Sequence, residues 1–215
     1  VDFLADNASL LWRAFLTTLS LSLLAGLLAL VLGTLLAAFR VSPIPPLRGA
    51  ATFYVELLRN TPLTVVFFFI IFGLPQIDLI MPFFPGAVAA VALYTAAFVC
   101  EAIRSGINTV PPGQAEAARA LGMTFPQTLG QVVLPQAVRA AIPPLGNVWI
   151  AMVKNTSIAA GFAVTELTAS MQRLSNAQAD QLVLVLLAVV VGYCVITVPS
   201  AWVVHRLERK VAVLR

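Results

Sequence analysis

The sequence predicts an all-α integral membrane protein with five transmembrane helices, its N-terminus outside and its C-terminus cytoplasmic. Three observations carry this reading. Of the 215 residues, 60% are hydrophobic and 10% charged, with a mean hydropathy of +0.95; soluble domains are about half apolar and a quarter charged. Five apolar stretches, 10–39, 50–72, 86–107, 145–164 and 182–204, each reach the length of about 20 residues that a helix needs to cross hydrocarbon. Basic residues gather in alternate connections, as they do in cytoplasmic loops.

In the first stretch Ala25, Ala29, Gly33 and Ala37 recur every fourth residue, which puts small side chains on one helical face for close packing. Arg40 and Arg48 follow it, with Ser42, Pro43, Ile44, Pro45 and Pro46 forming a tight connection. The second stretch carries Phe67, Phe68 and Phe69 as lipid-facing or interhelical bulk and ends in a second proline-marked loop, 75–85. Arg119 and Arg139 lie between stretches three and four, and Arg206, Arg209, Lys210 and Arg215 follow stretch five. The opposite side collects Asp2, Asp6, Asp78 and Asp180, with Arg13 and Arg173 as its basic residues.

Several functional classes drop out. The net charge of +4 includes no basic run with interleaved aromatics, so nucleic acid is not the partner. Cys100 and Cys194 lie in apolar stretches without metal-ligand neighbours and read as reduced packing residues. The 19–38 segment is too long for a signal core and leads into arginine, so no cleavable signal is expected. His205 reads as a headgroup anchor with no metal role, and Asn7 or Ser9 as a helix cap. No phosphate-cradling loop or nucleophile triad occurs, so this chain is not expected to be an enzyme or to hydrolyse ATP.

The 110–144 segment is too polar and proline-interrupted to span, yet too long for a simple connection, and reads as a docking element. Its 113–121 run favours helix and ends at Gly122, a natural helix terminator. A second short helix is expected from Phe125 to Val133, stopped by Pro135.

Glu116, Ala117 and Ala118, then Gly122, then Val132, Val133, Leu134 and Pro135, resemble in type and spacing the EAA loop of permease subunits of ABC importers. That family has isoleucine where this chain has Val132. Further blocks, 59–63, 72–75, 137–139 and 143–147, resemble its polar amino acid branch, and 59–63, 105–110, 113–119 and 154–156 resemble glutamate-type permeases in particular. The resemblance implies a single type I importer transmembrane domain over 1–215, in a bacterial inner membrane. It implies that Glu116, Ala117, Ala118, Gly122, Leu134 and Pro135 couple to a cytosolic ATPase dimer that holds the ATP and magnesium, this chain needing no cofactor. It also implies a second permease subunit, a paralogue forming a heterodimer, with an identical copy as the alternative, an extracytoplasmic binding protein, and import by alternating access.

Ionisable residues inside spans cost about 2.5 to 3.5 kcal/mol each at mid-helix, so they point to function. Five qualify: Glu56, Arg59, Glu101, Arg104 and Lys154. The couples Glu56 and Arg59, and Glu101 and Arg104, are spaced to pair on one helical face, as structural salt bridges or as more. Arg59, Asn60 and Thr61, with Lys154, Asn155, Thr156 and Ser157, form two polar clusters that either line a substrate pathway or bond to neighbouring helices. Asn155 stands where the family often has aspartate, which leaves Lys154 without a counter-ion on its own helix and favours an acidic substrate. A secondary transporter or channel would use Lys154 and Glu101 for ion coupling, but leaves the 110–144 segment unexplained, and a plain membrane anchor leaves the charges unexplained.

Overall fold

The fold is that of a computed structural model describing residues 2–212; Arg215, counted above among the basic residues, lies outside them. After a one-turn helix at Asp2–Asp6, α1 (Ala8–Arg40) runs 33 residues without a break, about 50 Å at ~1.5 Å per residue. Helices α2 (Pro45–Asn60) and α3 (Leu63–Phe68) follow, and α3 continues through a π-helical turn, Phe69–Gly73, and a 3-10 turn, Leu74–Ile77. Then come α4 (Phe83–Asn108), α5 (Pro112–Ala120), α6 (Leu134–Asn155), α7 (Leu167–Ala177) and α8 (Leu182–Ala212).

Small residues decide how the helices meet. Ala25, Ala29, Gly33 and Ala37 are buried, and a Cβ on Gly33 would fall 2.5 Å from Val99, so α1 and α4 touch backbone to backbone. Gly106 does the same against Ala137 and Ala141, which sets α6 antiparallel to α4. Gly146 against Val204, with Trp149 Nε1 donating to Ser200 Oγ at 3.1 Å, sets α8 antiparallel to α6. Helix α4 is therefore the central post, and Leu21, Phe67, Val91, Met152 and Val153 close the main core around it. Arg40, Arg119, Arg139, Arg206, Arg209 and Lys210 fall at one end of the bundle, Asp78 and Asp180 at the other.

Three helices are long and apolar enough to cross a membrane, and the number is five if each of two bent pairs is one span. The 50–72 stretch is not the straight helix the sequence suggests. Pro62 has no N–H to give and forces the residue before it out of the helical region, so Thr61 is extended and the axis turns by 107° between Pro45–Asn60 and Leu63–Ile77. Asn60 Nδ2 donates to the Glu56 carbonyl at 2.7 Å and Thr61 Oγ1 to that of Leu57 at 2.8 Å, so both side chains fold back onto the last turn of α2 before the break. Pro135 does not stop a helix either. It falls in the first turn of α6, where a missing donor is tolerated, and a π-helical turn at Thr128–Val133 joins it to Phe125–Gln127. One helical body thus runs from Phe125 to Phe162 and bends by 51° into α7. The polar loop expected over 110–144 shrinks to α5 and the turn after it. Cys100 is buried as expected, whereas Cys194 is exposed.

Candidate functional site

Glu101 on α4 is the meeting point of three guanidinium groups. Its Oε1 pairs with Arg40 at the end of α1. Its Oε2 accepts from Arg104, one turn further on, at 2.9 Å, and faces Arg59 of α2 at 3.7 Å. The expected couple of Glu101 and Arg104 forms. The couple of Glu56 and Arg59 does not: Arg59 turns to Glu101, and exposed Glu56 makes no ion pair among the described residues. The reason is tertiary: Val55 of α2 packs into one cluster with Ala37 of α1 and with Ala97 and Cys100 of α4, which holds Arg59 at the level of Arg40 and Glu101. That level is about 27 Å along α4 from Phe83 at ~1.5 Å per residue, deeper toward the arginine-rich end than mid-helix.

Between α4 and α6 a cavity of about 290 Å³ is lined by Tyr94, Thr95, Phe98, Asn147, Met152 and Asn155, among others. The Arg59 guanidinium lies 5.8 Å from the centroid of the Phe98 ring, which is one of the lining residues. Asn155 is the one member of the two expected polar clusters that lines it. Lys154 is exposed and, among the described residues, pairs with no carboxylate. Asn60 and Thr61 donate back to carbonyls of their own helix, α2, and neither lines this cavity. Thr156 is buried and donates to the Val153 carbonyl at 2.7 Å, where the α-helix tightens into the 3-10 turn Thr156–Phe162. Ser157 is half-buried.

At the arginine-rich end, α5 presents Glu116 and Ala117 to the outside and buries Ala118. Its end is a Schellman motif: the Met123 N–H donates to the Ala118 carbonyl at 3.1 Å and the Gly122 N–H to that of Arg119 at 3.0 Å. Gly122 has φ +84, a left-handed value that glycine adopts without cost. The turn leaves Leu121 85% and Phe125 72% exposed, two large apolar side chains uncovered within four residues of each other in the chain. A capping box of Thr124 and Gln127 then starts the helical body leading to α6. Leu134 and Pro135 are exposed but belong to the start of α6.

Sequence reasoning missed Glu166. This carboxylate is fully buried at the bend before α7 and caps that helix, with Oε1 accepting from the Ala169 N–H at 2.8 Å. Its Oε2 accepts from the Tyr193 hydroxyl of α8 at 2.7 Å, and Thr18 of α1 accepts the neighbouring Leu167 N–H at 3.1 Å. Three helices therefore meet at one acid whose partners are uncharged. An acid just before a Leu-Thr-Ala-Ser run was the available signal, a helix start placed directly after an apolar stretch.

Comparison with known proteins agrees with this architecture. Residues 13–213 match the family described as the binding-protein-dependent transport system inner membrane component. A glutamate transport system permease protein, GluC, of Corynebacterium efficiens is 42% identical, over 97% of this chain and 97% of its own length. A probable glutamine ABC transporter permease protein, GlnM, of Bacillus subtilis is 39% identical, over 98% of this chain and 97% of its own. Among solved structures, an amino acid ABC transporter crystallised with histidines superposes with a TM-score of 0.89 at 33% identity, covering 98% of this chain and 99% of that one. The MetNI methionine ABC transporter, at a TM-score of 0.80 and 19% identity, shares the fold. With a matched segment that runs from within α1 through α8, the chain belongs to the family of binding-protein-dependent transport system inner membrane components.

Proposed function

We propose that this chain is a permease subunit of an ATP-driven importer of acidic or polar amino acids, glutamate foremost, in a bacterial inner membrane. It forms one transmembrane domain that crosses the bilayer five times, each bent pair counting as one span, with the N-terminus outside and the arginine-rich end in the cytoplasm. A second permease subunit, paralogous or identical, completes the path. An extracytoplasmic binding protein delivers the substrate, and a cytosolic ATPase dimer supplies ATP and magnesium.

The observation that carries this reading is α5 with its Schellman turn. Exposed Glu116 and Ala117 stand beside protruding Leu121 and Phe125, at the end of the bundle where basic residues gather. A short helix fixed to the body at Ala118 and free on its other face can receive a push from a soluble partner and pass it to the helical body running from Phe125 through Asn155. Movement of that body changes the walls of the cavity at Asn147 and Asn155, which is what alternating access demands. Lys154 and Arg59 give this region a positive potential that admits a carboxylate and opposes a cationic side chain, by about 1 to 4 kcal/mol at contact.

Two measurements test the reading. Topology comes first: in a Cys194→Ala background, a cysteine replacing Ile80, which is 79% exposed, should react with an impermeant thiol reagent from outside. One replacing Arg209 should react only in inverted vesicles, and the reverse pattern would overturn the orientation. Substrate charge comes second. In proteoliposomes holding the assembled importer, Lys154→Ala should lower glutamate uptake at least tenfold and Asn155→Asp should lower it several-fold, both with normal membrane insertion. Unchanged uptake in Lys154→Ala, or wild-type transport confined to basic amino acids, would remove the acidic-substrate assignment.

A further inference from the structure

The pairing at Glu101 is unequal. Arg40 and Arg104 each hold one of its two oxygens at hydrogen-bonding range, and their side chains are 15% and 38% exposed. Arg59 stands 3.7 Å away, beyond hydrogen-bond distance, with 46% of its side chain exposed. Its charge is held by attraction to an oxygen already engaged, while its planar donor fork stays free. One carboxylate faces three guanidiniums, so the group carries a net charge of +2. The Arg104 Nε is buried without a hydrogen-bond partner, a second sign that acceptors run short here. The Arg59 guanidinium lies over the Phe98 ring, 5.8 Å from its centroid, and Phe98 is one of the residues lining the 290 Å³ cavity, at the lower end of the range for small-molecule sites. The cavity's polar lining groups, Thr95, Asn147 and Asn155 among them, carry no charge.

We infer that Glu101 is a built-in stand-in for the substrate's side-chain carboxylate: it holds Arg59 while the cavity is empty and yields it to the carboxylate of an acidic amino acid that enters. This rests on the reading of the chain as an acidic amino acid permease and adds the residue that sets the preference. A carboxylate from the cavity side can take the free fork in a bidentate geometry that Glu101 cannot offer, since Arg40 and Arg104 fix the Glu101 oxygens. Adding that carboxylate lowers the local charge from +2 to +1, so the exchange meets no net repulsion. A neutral amide such as glutamine has nothing to trade for the Glu101 attraction and leaves Arg59 in place. Glu101 is thus a specificity-determining residue that acts through Arg59, and Arg40 and Arg104 position it.

The test is equilibrium binding of radiolabelled L-glutamate and L-glutamine to the purified permease and ATPase complex in nanodiscs, without the binding protein, whose own selectivity would otherwise dominate. Arg59→Gln should lower the ratio of glutamate to glutamine affinity at least tenfold. Glu101→Gln, which releases Arg59 from competition, should raise that ratio about threefold or more. Arg59→Lys, which keeps the charge and loses the fork, should fall between Arg59→Gln and wild type and stands in should Glu101→Gln fail to assemble. Equal weakening of both ligands in Arg59→Gln, an unchanged ratio, or a Glu101→Gln complex that assembles and prefers glutamine would overturn the inference while leaving the permease reading intact. A wild-type complex that binds and transports neither glutamate nor aspartate would instead remove the acidic-substrate reading on which it rests.

Discussion

Gly122→Val should uncouple the importer, lowering reconstituted transport and binding-protein-stimulated ATP hydrolysis together by tenfold or more while the protein still inserts and folds. The reason lies in the backbone. Gly122 closes the Schellman turn with φ +84, and no atom stands within 4 Å of where a Cβ would project. Space is therefore free, but the conformation is not: a left-handed residue with a side chain costs about 1 to 2 kcal/mol, and a β-branched one more. The cheapest escape is to rotate the turn, which re-aims Leu121 and Phe125 relative to α5 and spoils the docking surface without touching the bundle. Asparagine tolerates the left-handed region, so Gly122→Asn should keep most of the coupling. Normal transport and normal stimulation in Gly122→Val would sink the coupling role of this loop.

Gly106→Val should fail at an earlier stage, leaving little or no folded protein in the membrane by detergent-solubility and size-exclusion assays. Here the position is reversed. Gly106 has an ordinary helical backbone, but a Cβ would lie 2.6 Å from the Ala137 carbonyl oxygen, 2.8 Å from the Ala141 Cβ and 2.9 Å from the Ala141 nitrogen. Two of these three are main-chain atoms of α6 and cannot swing aside as a flexible side chain would. Overpacking typically costs about 1 to 3 kcal/mol where side chains can rearrange; pushing α6 off α4 also strips the contact that positions Asn147 and Asn155. Gly106→Ala should show the same defect in milder form. A well-folded Gly106→Val protein would mean that α4 and α6 do not pack as described.

The two glycines show how far the residues alone could be read. Gly122 after a run of helix formers announces its own role, because helix termination is local and its chemistry is written within a few residues. The stripe of Ala25, Ala29, Gly33 and Ala37 likewise announces a close helix contact, though not with which helix. The split pairing of the charges was not legible in that way. A spacing of three residues makes Glu56 and Arg59 look as good a couple as Glu101 and Arg104, and only the second forms. Counting residues from Arg48 places Arg59 at mid-membrane if the helix rises straight. The packing of α2 on α1 and α4, with Arg59 facing Glu101, decides otherwise. Pro62 was visible as a local break, but not the 107° turn that follows from it. Glu166 went unnoticed because a polar residue at the edge of an apolar stretch looks solvent-exposed until α1, α7 and α8 close over it.

The sequence by itself determined the class of the protein, the lengths of its apolar stretches, the segregation of most arginines to one set of connections and the short helix with its glycine stop at Gly122. All of these are local or compositional properties, governed by transfer of side chains from water and by backbone preference. Tertiary structure alone decided that one carboxylate serves three arginines from α1, α2 and α4, that Asn155 faces a cavity while Thr156 is buried, and that an uncharged network holds Glu166. Those outcomes depend on contacts between residues as far apart in the chain as Arg40 and Glu101, or Thr18 and Leu167. No spacing rule reaches across such separations; they are set by which small residues let which helices approach.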